Sequence, residues 1–206
     1  MRRVLLLLSL GAPAPAAAQQ PGPPPAQQPQ PPATPRAAPS TQASVEVHLN
    51  GRYIAGRWFP ATTAVAGPGR IRIDYGQPHA RGREIFGNLV PTDSVWRTGA
   101  NLATHLTTDV DVTIGDAIVP RGVYTLYTLP TRSGWKLIIS RQVGQWGTEY
   151  DPALDLARVD LRARRLTDPH ESLGIYLVPA DTQPARGTLR IVWERTELST
   201  DWRVGR

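Results

Sequence analysis

A chain of 206 residues with 23 basic and 17 acidic side chains carries a formal charge of +6 and contains no cysteine. The missing thiols exclude disulfide stapling, thiolate-ligated zinc, thiol catalysis and a lipid anchor on cysteine, so any fold must rest on its own core. The positive balance is mild. Lys136 is the single lysine, and the arginines are scattered instead of forming one run, which leaves no footprint for nucleic acid.

Residues 1–18 read as a secretory signal: Arg2 and Arg3, the apolar run from Val4 to Leu10, then small residues up to Ala18. The apolar run falls short of the ~20 residues that span a bilayer, and no later run is long enough, so no membrane span is expected. The arginine pair also fits a twin-arginine route. Cleavage after Ala18 leaves 21 basic against 17 acidic side chains, or +4. The mature product is expected to be periplasmic or secreted. Residues 19–42, rich in Pro, Gln and Ala, read as a disordered linker with little to bury.

From residue 43 the pattern turns to period two. Val45, Val47 and Leu49 alternate with Glu46, His48 and Asn50, and Ile71, Ile73 and Tyr75 alternate with Arg70, Arg72 and Asp74. Leu106, Val110, Val112 and Ile114 share one side opposite His105, Thr107, Asp109 and Asp111. Val159, Leu161 and Ala163 form another half-buried run, as do Leu189, Ile191 and Trp193. These are strands with one wet face. The stretches 123–129, 135–140 and 173–178 are more apolar and read as central strands. Ser133-Gly134 marks a hairpin, Gly115-Asp116 a turn, and Asp151-Pro152 a capped helical turn. No long amphipathic helix is predicted. Residues 43–206 therefore read as an all-β fold, a single antiparallel β-sandwich or flattened barrel of about seven to nine strands.

The motifs Asp74-Tyr75-Gly76-Gln77-Pro78, Gly82 to Gly87, and Val95-Trp96-Arg97-Thr98-Gly99-Ala100-Asn101 resemble the signature of the domain-of-unknown-function family 2911 (DUF2911). Thr108-Asp109-Val110, Pro120 to Leu126, Gln145-Trp146-Gly147 and Leu189 to Glu194 fit the same pattern. Residues 44–68 are more elaborate than that pattern, and Thr92-Asp93 replaces an aromatic-glycine pair. The resemblance implies an exported bacterial domain and no assigned activity, cofactor or catalytic residue.

Gly82 to Asn101 reads as a long packed loop joining two runs of strands, and the candidate site gathers on it. Arg83 and Arg97 offer planar forks for an anion, Trp96 an aromatic face, and Asn101 both a donor and an acceptor. If Asn101 opens the next strand, it shares a face with His105 and Asp109. Trp146, in a loop between Gln145 and Gly147, is the ring expected to be exposed and able to stack on a sugar. The proposed ligand-binding set is Arg83, Trp96, Arg97, Asn101, His105 and Trp146. The competing structural reading has Arg97 and Asn101 bonding loop backbone, Gly99 at positive φ, and Arg83 paired with Asp74 or Glu84.

No metal or cofactor site is expected. His48, His79, His105 and His170 lack ligand spacing, and His105 with Asp109 lies about 13 Å apart along a strand. Ser94, Ser133 and Ser172 have no nucleophile elbow, and Gly67-Pro68-Gly69 is a turn without a phosphate cradle. The leading reading is a non-catalytic envelope binding module for a small molecule, glycan or peptide. The alternatives are a hydrolase using Glu84 or His105, with Glu84 and Asp93 as an acid–base pair, and a structural partner of an envelope protein. No catalytic residue is assigned.

Overall fold

The computed structural model describes residues 38–50 and 69–205, with the backbone alone of 52–54 and 57–59. The predicted signal and nearly all of the predicted linker lie outside the described residues. The strands are β1 (Ser40–His48), β2 (Arg52–Ile54), β3 (Arg57–Phe59), β4 (Arg70–Pro78), β5 (Thr104–Thr108) and β6 (Val112–Ile114). They continue as β7 (Ala117–Val119), β8 (Gly122–Thr131), β9 (Gly134–Ser140), β10 (Asp155–Ala180) and β11 (Arg186–Val204). Nine of them form one antiparallel sheet in the order β1-β4-β5-β8-β9-β10-β11-β6-β7, which does not close into a barrel; β2 and β3 pair with each other.

The period-two pattern sets the faces. In β4, Ile71, Ile73 and Tyr75 are buried while Arg72 and Asp74 stay half-exposed. The middle of β8 and the end of β9 are buried on both sides, because residues from both 95–103 and 141–154 cover their outer face. Ala103, Tyr127 and Ile138 form a small cluster there, with Val95, Leu129 and Tyr150 packed against it. The main core lies on the other face, where Ile73, Leu106, Leu126 and Leu137 meet Ile175, Leu189, Ile191, Trp193 and Leu198. Each such side chain contributes about 1.5–3 kcal/mol on burial, which lets the core stand without disulfides.

Two layers arise because β10 and β11 bend. The first part of β10 pairs with β9, and the rest pairs with β11. The β10–β11 register slips between Arg165 and His170 and again between His170 and Gly174, and Glu194 opposite takes φ 50°. Bulges of this kind bend a strand and sharpen its twist. The far half of β10 thereby returns over β4. The Ile175 amide donates to the Tyr75 hydroxyl at 3.2 Å, Gln77 Nε2 donates to the Leu173 carbonyl at 2.9 Å, and His79 bridges Ser172.

Several expectations change in detail. β1 starts at Ser40, and Ser40 to Gln42 pair with Gly76 to Pro78. The stretch 104–114 is two strands, since Asp109 to Asp111 leave the ladder between β5 and β6. The runs at 159–163 and 173–178 belong to one long bent strand. Asp151 does cap a single helical turn, Pro152–Leu154, accepting from the Ala153 amide.

Candidate functional site

The loop between β4 and β5 begins where Pro78 ends the β4 ladder. Arg81 and Gly82 take φ 53° and 69° and reverse the chain. Arg83 closes the turn by donating from Nε to the Ala80 carbonyl at 3.0 Å and from Nη2 to the His79 carbonyl at 2.7 Å. The expected ion pair of Arg83 with Asp74 or Glu84 is not formed; Arg83 pins the turn through backbone carbonyls. Asp74 instead accepts a fork from Arg72, at 3.0 and 2.8 Å from Nε, and Glu84 is exposed. Ile85 and Val90 then bury and anchor the loop in the core.

Trp96 fastens the middle of the loop. Its backbone exchanges two 2.8 Å hydrogen bonds with Thr128 of β8. Its ring stacks on Trp193, with centroids 5.5 Å apart and planes 18° apart. Phe86 sets its edge against Trp96, Trp135 and Trp193. Such pairs add about 0.5–1.5 kcal/mol beyond their buried area. The loop end then presses on β4: a Cβ at Gly76 would lie 1.9 Å from the Ala100 carbonyl oxygen, and one at Gly99 would lie 2.9 Å from the Gly76 carbonyl oxygen. Gly99 is therefore needed for close approach, and the positive φ angles fall on Thr98 and Asn101, at 54° and 64°.

A second loop, 141–151, meets the first. Gln145 Nε2 donates to Thr125 Oγ1 and to the Tyr127 hydroxyl at 3.2 and 2.7 Å. Both hydroxyls are acceptors there, because Thr125 donates to the Gln142 carbonyl and Tyr127 to the Glu149 carbonyl. The Gly147 amide donates to the Asn101 carbonyl at 3.1 Å. Gly147 has room for no side chain, since a Cβ would fall 2.1 Å from Arg97 Cδ.

Between the loops lies a cleft of about 450 Å³, lined among others by Arg83, Trp96, Arg97, Tyr127, Tyr150 and Trp193. Its size suits a small ligand. Among the described residues, no Asp, Glu or His lines it. Arg97 donates from Nε to the Gly99 carbonyl at 3.2 Å, and its terminal Nη groups meet no acceptor among the described residues. Burial pushes the Tyr127 phenol up. Burial, then the hydrogen bond to Asp155, pushes Tyr150 up to about 12. Both phenols are neutral at ordinary pH.

Of the predicted set, Arg83, Trp96 and Arg97 come together in this cleft. Asn101, His105 and Trp146 do not line it. Asn101 precedes β5 instead of opening it, so it does not share a strand face with His105. His105 Nε2 accepts from the Gly144 amide at 3.2 Å, which supports the second loop from below. Trp146 is 48% exposed, and Leu102, also 48% exposed, bridges it. Tyr127 and Tyr150 were not anticipated. Both are aromatic residues in segments whose outward face the sequence does not distinguish from core.

The hydrolase alternative finds no frame in the cleft. His79 Nδ1 and Ser172 Oγ are 2.8 Å apart, but His79 Nε2 is buried with no hydrogen-bond partner, so no acid orients the ring. Among the described residues no group of His, Asp and Glu is arranged to hold a metal ion, and no helix is long and apolar enough to cross a membrane.

The family model for proteins of unknown function, DUF2911, matches residues 60–201. The chain belongs to this family. Comparison with curated proteins and with solved structures returns no match. The DUF2911 motifs meet in space: Gly76 touches Ala100, Trp96 stacks on Trp193, and Gly147 seats Arg97. Much of the motif set thus builds the walls of the cleft.

Proposed function

We propose that this DUF2911 domain is exported and serves as a non-catalytic binding module whose cleft holds a small anionic ligand. One observation carries the reading: Arg97 lines an aromatic-walled cleft that has no carboxylate among the described residues, and its Nη groups meet no acceptor there. A guanidinium fork matches a carboxylate or an oxyanion in two parallel hydrogen bonds, and the Trp96 and Tyr150 rings give the ligand body an apolar wall. The lining also lacks an imidazole or carboxylate to move protons, which favours binding over hydrolysis.

Export is tested by the mass of the product recovered from outside the cytoplasm. It should begin at Gln19, and a full-length cytoplasmic chain would end this part of the proposal. Binding is tested by thermal shift of the mature chain with galacturonate, sulfate and neutral galactose. The anions should raise the melting temperature of the wild type and not of Arg97→Gln, while galactose leaves both unchanged. An equal response from the variant would remove Arg97 from the site.

A further inference from the structure

The structure divides the polar and aromatic residues of the two loops into two adjoining surfaces. Arg83, Trp96 and Arg97 face the cleft. Asn101, Leu102 and Trp146 form a ledge outside it, with Leu102 and Trp146 each 48% exposed. The two are continuous. Gly99 and Ala100 line the cleft immediately before Asn101 and Leu102, and Gly147 and Thr148 line it immediately after Trp146. The Gly147 amide bonded to the Asn101 carbonyl at 3.1 Å, with the Leu102–Trp146 bridge, fixes the ledge to the cleft rim.

We propose that the ligand is an acidic oligosaccharide, with one uronic acid unit in the cleft and a neighbouring unit stacked on Trp146. This rests on the anion-binding reading of the cleft and extends it to a polymer. The charge of the lining selects an acid, since Arg83 and Arg97 stand there with no Asp or Glu. The ledge selects a sugar over a peptide. Peptides bind by adding a strand at a free edge or by laying a proline-rich segment in an aromatic-lined groove; here the loop backbones are already bonded to each other, and Trp146 is a single exposed ring on the ledge. What remains is the half-exposed indole of Trp146 and the Asn101 amide, which makes no side-chain hydrogen bond among the described residues. A pyranose offers the matching groups: an aliphatic C–H face for the ring and hydroxyls for an amide that both donates and accepts.

The test titrates wild type, Trp146→Ala and Arg97→Gln with galacturonic acid and with a short galacturonic acid oligomer, and adds an acidic peptide of similar length. Wild type should bind the oligomer about ten-fold more tightly than the monomer, the order of one aromatic stacking contact. Trp146→Ala should remove that gain, keep the monomer affinity and keep the melting temperature, because the ring is half in solvent. Arg97→Gln should weaken monomer and oligomer together. Equal binding of monomer and oligomer by wild type would overturn the ledge while leaving the cleft reading in place. Loss of neither ligand in Arg97→Gln would overturn the cleft reading and this extension with it. A Trp146-dependent gain seen only with the peptide would overturn the choice of a sugar.

Discussion

Arginine does different work in two regions of this molecule. On the outer face of β10 and β11 it is matched to carboxylates. Arg162 forks onto both oxygens of Asp201 at 2.9 Å. Arg164 donates to Glu197 at 2.9 Å, Arg190 donates to the same oxygen, and the Arg190 guanidinium lies over the Tyr176 ring. In the cleft, Arg83 and Arg97 bond only backbone carbonyls among the described residues, and no described acid lines it beside them. On β10 and β11 the charge is neutralised by carboxylates of the fold itself. A charge left with open donors beside aromatic walls is available to something from outside.

The largest effect that would break this contrast lies beneath the cleft. Trp193 is 1% exposed and carries the stacked Trp96 ring. Trp193→Ala should cost about 3–5 kcal/mol in urea unfolding and should abolish ligand binding. A loss below ~1 kcal/mol would mean the aromatic cluster does not hold the cleft wall.

A smaller effect sharpens the other side. Glu197 is buried, and burial alone would raise its pKa. The hydrogen bonds from Arg190 and Arg164 outweigh burial and hold it below its ordinary 4.5. Glu46 follows the same pattern, with burial opposed by Arg72 and His48, and Asp201 is lowered chiefly by Arg162. A group depressed on folding gives its full stabilisation above its unfolded pKa and loses it as the pH falls towards the folded value. The melting temperature should therefore drop as the pH passes below 4.5. Glu197→Gln should cost about 1.5–3 kcal/mol at neutral pH and flatten part of the acid decline. A melting temperature unchanged from neutral to about pH 3 would show that these pairs do not act together.

The parts of the fold visible in the sequence are those with a clear period. β4 alternates as Ile71, Ile73 and Tyr75 require, β8 and β9 show the runs of strands buried on both faces, and Asp151-Pro152 announces its turn. β10 was hidden as one strand because Thr167-Asp168-Pro169 looks like a break. Proline is tolerated there, where the register slips. β7 is too short to show a period, and β6 reads as the end of one strand with β5 because Val112 and Ile114 continue the same alternation. In the site, Trp96 and Arg97 were legible because an aromatic, an arginine and a glycine sit together in one loop. The separation of Asn101 and Trp146 from them was not. It depends on the left-handed backbone at Thr98 and Asn101 and on the second loop arriving from 40 residues further along, and neither leaves a local pattern.

The central claim is that the cleft arginines, unlike those on β10 and β11, await an external anion. Calorimetric titration of galacturonate into the wild type, Arg97→Gln and Arg162→Gln compares the two kinds directly. Arg97→Gln should bind about ten-fold more weakly or worse, the order of one charge-assisted hydrogen bond. Arg162→Gln should stay within about two-fold of the wild type, with a stability change under ~1 kcal/mol for an exposed pair. Equal losses in the two variants, or full affinity in Arg97→Gln, would contradict the account.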